Sequence, residues 1–208
     1  MDSVKLAENI FNKHATAYLE KFKDVSLYQE SLDIFCNMLP KNASVLEVGT
    51  GPGNVTKYIL QQRPDLKLTG IDIAGNMIDL AQINNPSGTF IKMDCRDIYS
   101  LTNKYNGIIS SFCFPYLSQE EVSKFMKDVK DKLTDGGIIY ISTMEGDYAS
   151  SGLKTTSAGE SLYIHYHEYG FLSEVLIQNQ FEIVDTRRKQ YKNDGDQVVT
   201  DLLMIARL

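Results

Sequence analysis

The spacing of apolar positions changes twice along the chain. Between residues 3 and 39 apolar side chains recur every three or four residues, which predicts helices, and Pro40 ends the last of them. Short apolar runs then alternate with amphipathic segments up to residue 179. The runs are continuous, as in parallel strands that helices cover on both faces. They predict strands at Val45–Val48, Lys67–Ile73, Thr89–Asp94, Tyr105–Phe112 and Ile138–Thr143, and helices at Asn54–Gln62, Ala74–Ile83, Ser118–Leu133 and Glu168–Asn179. Ser118 and Glu121 also form a capping-box pattern.

The end of the chain has a different pattern. Phe181–Tyr191 and Gln197–Leu208 are strand-like and are joined by Lys-Asn-Asp-Gly-Asp. Because this link is too short for a helical crossover, the two strands should form an antiparallel hairpin. The predicted fold is therefore a Rossmann-like, doubly wound α/β domain. It has a seven-stranded, mostly parallel sheet with an antiparallel C-terminal strand, and a helical N-terminal extension.

One domain is expected over residues 1–208, with a helical cap at 1–40 and the core at 41–208. Residues 145–167 contain many glycines, serines and threonines and follow the fifth strand, so they are predicted to be a loop that acts as a lid. Together with the N-terminal helices, this loop is expected to cover an acceptor molecule.

Charge and cysteine content restrict the partners and the compartment. The net charge of −6 argues against binding to nucleic acid or to an anionic membrane surface. Cys36, Cys95 and Cys113 are scattered, which is typical of buried thiols in a reducing cytoplasm. No apolar run is long enough for a membrane span, and no signal-peptide core is present. A cytoplasmic monomer or homodimer is expected.

A glycine-rich turn follows the first strand. Glu47-Val-Gly49-Thr-Gly51-Pro-Gly53 lets a ligand approach bare backbone, and Asp72 ends the second strand, where a carboxylate can accept both hydroxyls of a ribose. A dinucleotide-binding turn has G-x-G-x-x-G, but Asn54 occupies the position after Gly53. The turn therefore indicates a nucleoside-containing cofactor other than a dinucleotide.

This E-x-G-x-G-x-G pattern resembles motif I of the class I S-adenosylmethionine-dependent methyltransferases. Asp94-Cys95 resembles the family's adenine-facing position, and Leu133-x-x-Gly136-Gly137 resembles its turn before the fifth strand. The resemblance implies S-adenosyl-L-methionine as cofactor and S-adenosyl-L-homocysteine as product. It places the cofactor against Glu47, Gly49, Thr50, Gly51, Gly53, Asp72, Ile73, Met77, Asp94, Cys95, Ser111 and Tyr18. For Met77 and Tyr18, ordinary helix packing is the alternative interpretation.

An aromatic segment follows the fourth strand. Adenine- and glutamine-N-methyltransferases carry an Asn/Asp-Pro-Pro-Tyr type motif there, whereas Cys113-Phe-Pro-Tyr116 lacks the polar residue and one proline. A base or glutamine substrate is therefore not expected. The predicted substrate-binding residues are Phe112, Tyr116, Tyr148, His165 and His167.

The two histidines leave three interpretations open. They could bind a metal with Glu168, one of them could act as a general base, or both could be surface or capping residues. The prediction adopted has no metal and takes His165 as the candidate base.

The predicted function is direct in-line methyl transfer from S-adenosylmethionine to a small molecule. One alternative is a catalytically silent S-adenosylmethionine-binding regulator or scaffold, because methyl transfer requires no fixed catalytic residue. A second alternative is a nicotinamide-dependent or nucleotide-sugar enzyme of the same architecture.

Overall fold

The computed structural model describes residues 3–155, 159–192, 196 and 198–208. Its helices are α1 (Ser3–Lys21), α2 (Gln29–Met38), α3 (Asn54–Gln62), α4 (Gly75–Asn84), α5 (Gln119–Lys132) and α6 (Tyr169–Gln178). Its strands are β1 (Ser44–Val48), β2 (Lys67–Asp72), β3 (Thr89–Lys92), β4 (Tyr105–Ser111), β5 (Leu133–Glu145), β6 (Gly152–Thr155), β7 (Ser161–Ile164), β8 (Glu182–Lys192) and β9 (Val198–Arg207). Within these residues, no helix is both long and apolar enough to cross a membrane.

Seven strands form one sheet in the order β3-β2-β1-β4-β5-β9-β8. The five strands from β3 to β5 are parallel, while β9 runs antiparallel to both β5 and β8. The order reverses beside β1, and this reversal opens a crevice at the carboxyl ends of β1 and β4. The predicted doubly wound sheet with an antiparallel C-terminal strand is confirmed.

Apolar side chains cover both faces of the sheet, as the continuous strand runs predict. On one face Phe125 and Val129 of α5 pack with Leu176 of α6, and on the other Phe35 of α2 packs with Ile59 of α3. Ser118 caps α5: its hydroxyl accepts from the Glu121 N–H at 3.2 Å, and the Glu121 carboxylate accepts from the Ser118 N–H at 2.8 Å. The predicted capping box is confirmed.

The prediction that residues 145–167 form a plain loop is wrong. The antiparallel strands β6 and β7 pair within this segment, with Leu153 opposite Tyr163. Leu162 and Ile164 alternate along β7, and both are buried in a cluster with α1. In the sequence, this short alternation of apolar residues lies among serines and glycines and does not by itself predict a strand. Its apolar side chains are buried because α1 packs against them. Residues 156–158 of the predicted lid lie outside the described residues.

Other differences are at the ends of elements. The third strand ends at Lys92 rather than Asp94, because the Asp94 carboxylate accepts from the Arg96 N–H and begins a 3-10 turn over Cys95–Ser100. The fifth strand begins earlier, at Leu133, and extends to Glu145 because β9 pairs along most of its length. Most of the predicted C-terminal turn, residues 193–195, lies outside the described residues.

Close packing of α2 on the sheet leads to the first prediction. A Cβ at Gly107 of β4 would lie 2.7 Å from Phe35 and 2.8 Å from Leu39, both buried. We expect Gly107→Ala to lower the free energy of unfolding by about 1–3 kcal/mol, because an overpacked core must shift. Urea unfolding measures the change. Gly170→Ala is the control, since nothing lies within 4 Å of a Cβ there; an equal loss in both variants would contradict the packing argument.

Candidate functional site

A cleft opens where β1, β2 and β4 end, as expected at the switch point of a doubly wound sheet. It contains about 740 Å³ free of protein atoms, part of which is open to solvent. Its walls come from the strand ends below and from α1 above. The lining residues are Val4, Ala7, Phe11, Tyr18, Gly49, Gly51, Asp72, Ile73, Met77, Met93, Asp94, Cys95, Arg96, Ser111, Phe112, Cys113, Tyr116 and Leu117.

The glycine turn after β1 forms the floor of the cleft. Gly49 and Gly53 have φ values of +67° and +82°, which side chains other than glycine rarely adopt. A Cβ at Gly53 would also lie 2.3 Å from the Asn85 side chain. The Thr50 N–H donates to the Ile71 carbonyl at 2.9 Å and ties the turn to β2. The glycines therefore leave bare backbone accessible to a ligand, as the sequence predicts.

Glu47 lies behind the turn and is not among the described residues that line the cleft. Its carboxylate is 1% exposed and accepts hydrogen bonds from the hydroxyls of Thr50 and Thr56. Burial raises the pKa of Glu47 to about 7. The hydrogen bonds from the two hydroxyls oppose this rise, and the negative charge of the nearby Asp72 adds to it. Glu47 thus joins the turn to the first turn of α3.

Asp72 lies on the cleft wall and orders the backbone on both sides of it. Its Oδ2 accepts from the Gly51 N–H at 2.9 Å and its Oδ1 accepts from the Ala74 N–H at 2.8 Å. Burial raises its pKa, and the backbone hydrogen bonds oppose that shift. Each carboxylate oxygen can accept a further bond, so the carboxylate can still bind two ligand hydroxyls.

Asp94 also lines the cleft, but its carboxylate already has a partner. Arg96 Nε donates to Asp94 Oδ1 at 3.0 Å, and Arg96 Nη1 donates to Glu121 at 3.1 Å. Burial disfavours the charged Asp94, yet the Arg96 bonds hold its pKa below the ordinary value. Arg96 is a site residue that the sequence pattern does not predict; its only signal is its place two residues after Asp94.

Helix α1 forms the roof of the cleft. The Phe11 ring meets the rings of Tyr18 and Tyr116 edge to face, with centroids 5.9 and 5.1 Å away. Burial raises the pKa of Tyr18 to about 12. Met77 is 2% exposed and packs with α1, as the helix-packing interpretation predicts. It also lines the cleft, where it could contact a cofactor.

Contacts at both sides hold this roof in place. The Asn76 N–H donates to the Asn12 side chain at 2.9 Å, and Lys92 pairs with Glu8 at 2.8 Å. On the other side, α1 packs against β7 in the apolar cluster described above. The helix leaves regular geometry at His14, whose ring is 2.7 Å from the Glu160 carboxylate.

The predicted substrate residues separate into two groups. Phe112 and Tyr116 line the cleft, but Tyr148, His165 and His167 do not. These three rings stack beneath the β6–β7 hairpin, with Tyr148 5.9 Å and His167 6.4 Å from His165. His167 Nε2 donates to the carbonyls of Phe114 and Leu117, and burial lowers the pKa of both histidines. In the described chain, no group of three metal-ligating side chains is assembled.

Comparisons with known proteins agree on one fold. A family model of a methyltransferase domain matches residues 45–137. The uncharacterised methyltransferase YrrT of Halobacillus halophilus is 23% identical over 91% of this chain and 89% of its own length. The chain spans only 60% and 53% of two other curated methyltransferases that it matches.

Two solved structures are similar along nearly the whole chain. Magnesium protoporphyrin IX methyltransferase of Synechocystis, with bound S-adenosylmethionine, has a TM-score of 0.72 at 15% identity and covers 100% of this chain and 97% of its own. The 1,6-didemethyltoxoflavin-N1-methyltransferase of Burkholderia thailandensis, with 1,6-didemethyltoxoflavin and S-adenosylhomocysteine bound, has a TM-score of 0.72 at 21% identity. It covers 98% of this chain and 88% of its own.

The buried Glu47 leads to a prediction about pH. Because its pKa in the folded protein, about 7, exceeds the ordinary 4.5, folding favours the protonated form. The free energy of unfolding should therefore fall by about 3 kcal/mol as pH rises from 4.5 through 7. Glu47→Gln should lose this dependence, as urea unfolding at pH 5 and pH 8 can measure. Glu174→Gln, at an exposed position, is the control; parallel curves for wild type and Glu47→Gln would refute the assignment.

Proposed function

Because this chain is a class I S-adenosylmethionine-dependent methyltransferase, we propose that it methylates a small, largely apolar molecule. The predicted family and the predicted cofactor are confirmed by the comparisons. The small acceptor is our inference, and the aromatic roof over the cleft carries it. A cleft covered by Phe11, Tyr18 and Tyr116 admits a compact ligand more readily than a side chain of a macromolecule.

We propose one orientation for the cofactor in the cleft. The methionine part would lie on the backbone of Gly49 and Gly51, the ribose at Asp72, and the adenine between Met77 and Cys95. The Asp72 carboxylate would accept from both ribose hydroxyls in addition to its backbone donors. The Asp94 carboxylate is held by Arg96, so it can accept from an adenine amino group only on its remaining lone pairs.

The sulfonium supplies an activated methyl group, so the protein must chiefly position the acceptor and exclude water. In-line attack requires the acceptor atom at about 3–3.5 Å from the methyl carbon. Tyr18, Phe112 and Tyr116 lie on the wall of the cleft and can stabilise the positive charge through their ring faces. The acceptor would lie against Phe112 and Tyr116, at the end of the cleft formed by β4.

The net charge and the ligand of one structurally similar enzyme support a small acceptor. The net charge of −6 disfavours binding to a nucleic acid. The structurally similar Burkholderia thailandensis enzyme holds 1,6-didemethyltoxoflavin, which is a small molecule. A silent cofactor-binding protein remains the alternative from another class, and it would bind the cofactor without methylating any acceptor. Release of S-adenosylhomocysteine, measured with a panel of small acceptors, separates the two.

The ribose assignment can be tested at Asp72. We expect Asp72→Ala to weaken S-adenosylhomocysteine binding about 100-fold, because two hydrogen bonds to a charged group contribute roughly 3 kcal/mol. Isothermal titration calorimetry gives the dissociation constants, and thermal unfolding shows whether the turn stays ordered. Asp72→Asn keeps the shape and should bind with intermediate affinity. Asp79→Ala, on the exposed side of α4, is the control. Wild-type affinity in Asp72→Ala would remove Asp72 from the cofactor site.

The roof can be tested at Phe11. Its two edge-to-face contacts are each worth about 0.5–1.5 kcal/mol, so Phe11→Ala should raise the dissociation rate of S-adenosylhomocysteine roughly tenfold. Stopped-flow displacement measures that rate. Tyr99→Ala is the control, since Tyr99 is 58% exposed. An unchanged rate in Phe11→Ala would show that α1 does not hold the cofactor in the cleft.

A further inference from the structure

Arg96 lines the cleft and joins two carboxylates, Asp94 on its own turn and Glu121 on α5. Its Nε donates to Asp94 Oδ1 at 3.0 Å, and its Nη2 donates to Asp94 Oδ2. Its Nη1 donates to Glu121 Oε1 at 3.1 Å, and the other Glu121 oxygen accepts from the Ser118 N–H at 2.8 Å. Because the guanidinium is held on both sides, the Asp94 carboxylate cannot turn without breaking its bonds to the fork.

These bonds use most of the acceptor capacity of Asp94. Oδ1 accepts from the Arg96 N–H at 2.9 Å and from Nε, while Oδ2 accepts from Nη2 and shares the Nε–H at 3.1 Å. A carboxylate has about four acceptor positions, so the Arg96 donors leave one of them, on Oδ2. The Cys95 thiol also donates to this carboxylate, but a thiol is a weak donor that a ligand N–H can replace.

Arg96 also controls the charge of Asp94. Burial by itself raises the pKa of this carboxyl, yet the hydrogen bonds and the charge of Arg96 hold the pKa below its ordinary value. The other titratable groups around the pair are Cys95 on the same turn, and Glu121 and Lys124 on α5, where Lys124 Nζ donates to the Arg96 carbonyl at 3.3 Å. Asp94 is therefore ionised near neutral pH, and an ionised carboxylate can only accept hydrogen bonds.

We propose that Arg96 is the positioning residue that decides which base the cofactor site accepts. It holds Asp94 with one acceptor position open to the cleft, so the site selects a base with an exocyclic amino group and rejects a base with an oxo group. The amino group donates to that position, whereas an oxo oxygen there meets a second acceptor and leaves both without a donor. This inference rests on the proposed placement of the cofactor, with its adenine beside Cys95.

The test uses S-adenosylhomocysteine and S-inosylhomocysteine, which share the ribose and the homocysteine and differ only in the base, adenine or hypoxanthine. Isothermal titration calorimetry at pH 7.5 gives the two dissociation constants, and their ratio measures base selection. We expect wild type to bind S-adenosylhomocysteine about 100-fold more tightly, because the oxo base loses a hydrogen bond to a charged group and leaves acceptors unpaired.

Arg96→Met removes the guanidinium and keeps a long side chain. The ratio should fall to about tenfold or less, because the carboxylate is then free to turn. Arg96→Lys keeps the charge without the fork and should give an intermediate ratio. Arg187→Met is the matched control, since Arg187 pairs with Asp185, two residues before it, and with Glu30 on α2, outside the residues that line the cleft. This variant should keep the wild-type ratio.

A change of pH separates positioning from a merely structural role. Without Arg96, burial acts on the Asp94 carboxyl unopposed by that cation, so the carboxyl becomes protonated as pH falls and can donate to an oxo group. The ratio in Arg96→Met should therefore fall further between pH 7.5 and pH 5.5, whereas wild type and Arg96→Lys should keep theirs. Burial also raises the pKa of Glu47 and Asp72, but these groups affect both probes alike because the probes share the ribose and the homocysteine.

Asp94→Asn tests the direction of the open position. The amide oxygen should take the Oδ1 position, where it meets two Arg96 donors, and the amide N–H group should take the Oδ2 position. This variant should therefore prefer S-inosylhomocysteine, the reverse of wild type. In the double variant Asp94→Asn with Arg96→Met, the amide can turn, and the preference should disappear.

Several outcomes would overturn this inference: equal affinity of wild type for both probes, an equal loss of affinity for both in Arg96→Met, or the wild-type preference in Asp94→Asn. If Arg96→Met does not fold, as thermal unfolding would show, Arg96→Lys and Asp94→Asn decide the question. Failure of wild type to bind S-adenosylhomocysteine at all would instead overturn the proposed function, so the two failures are distinguishable.

Discussion

Two carboxylates, one buried and one half-buried on the cleft wall, determine the shape of the turn on which the whole site depends. Glu47 accepts from the hydroxyls of Thr50 and Thr56, and Asp72 accepts from the Gly51 N–H. Without these acceptors, the glycine turn would have to lose conformational entropy with little in return. The result is a fixed stretch of bare backbone at the end of β1, with the second acid directed at the same space.

The rest of the cleft is built around this fixed floor. The crevice exists because the strand order reverses beside β1, and α1 closes it from above through contacts with α4 and β7. The roof is aromatic and the floor is backbone and carboxylate, so the two surfaces suit the two parts of a nucleoside sulfonium. Helix α1 departs from helical geometry at His14, within the segment that covers the cleft.

The two ends of the cleft differ in their polar contacts and in their backbone conformation. At Asp72 the carboxylate already accepts from two backbone N–H groups, so it is ordered before any ligand binds. At Phe112 the backbone has a φ of +53°, a left-handed value that bulky side chains rarely adopt. The ordered carboxylate of Asp72 is consistent with a preorganised cofactor site.

The sequence by itself determined the sheet, its antiparallel last strand and the cofactor cleft, because these depend on local signals. Glycine spacing, acids at strand ends and continuous apolar runs act within a few residues of one another, and Gly49, Asp72 and Asp94 all reach the cleft. Only the tertiary structure decided which distant side chains meet. It separated His165 and His167 from the cleft, moved Glu47 behind the turn and paired Asp94 with Arg96. It also brought Asp201 beside Tyr28, 173 residues away, because β9 pairs with β5 at the very edge where the cleft opens.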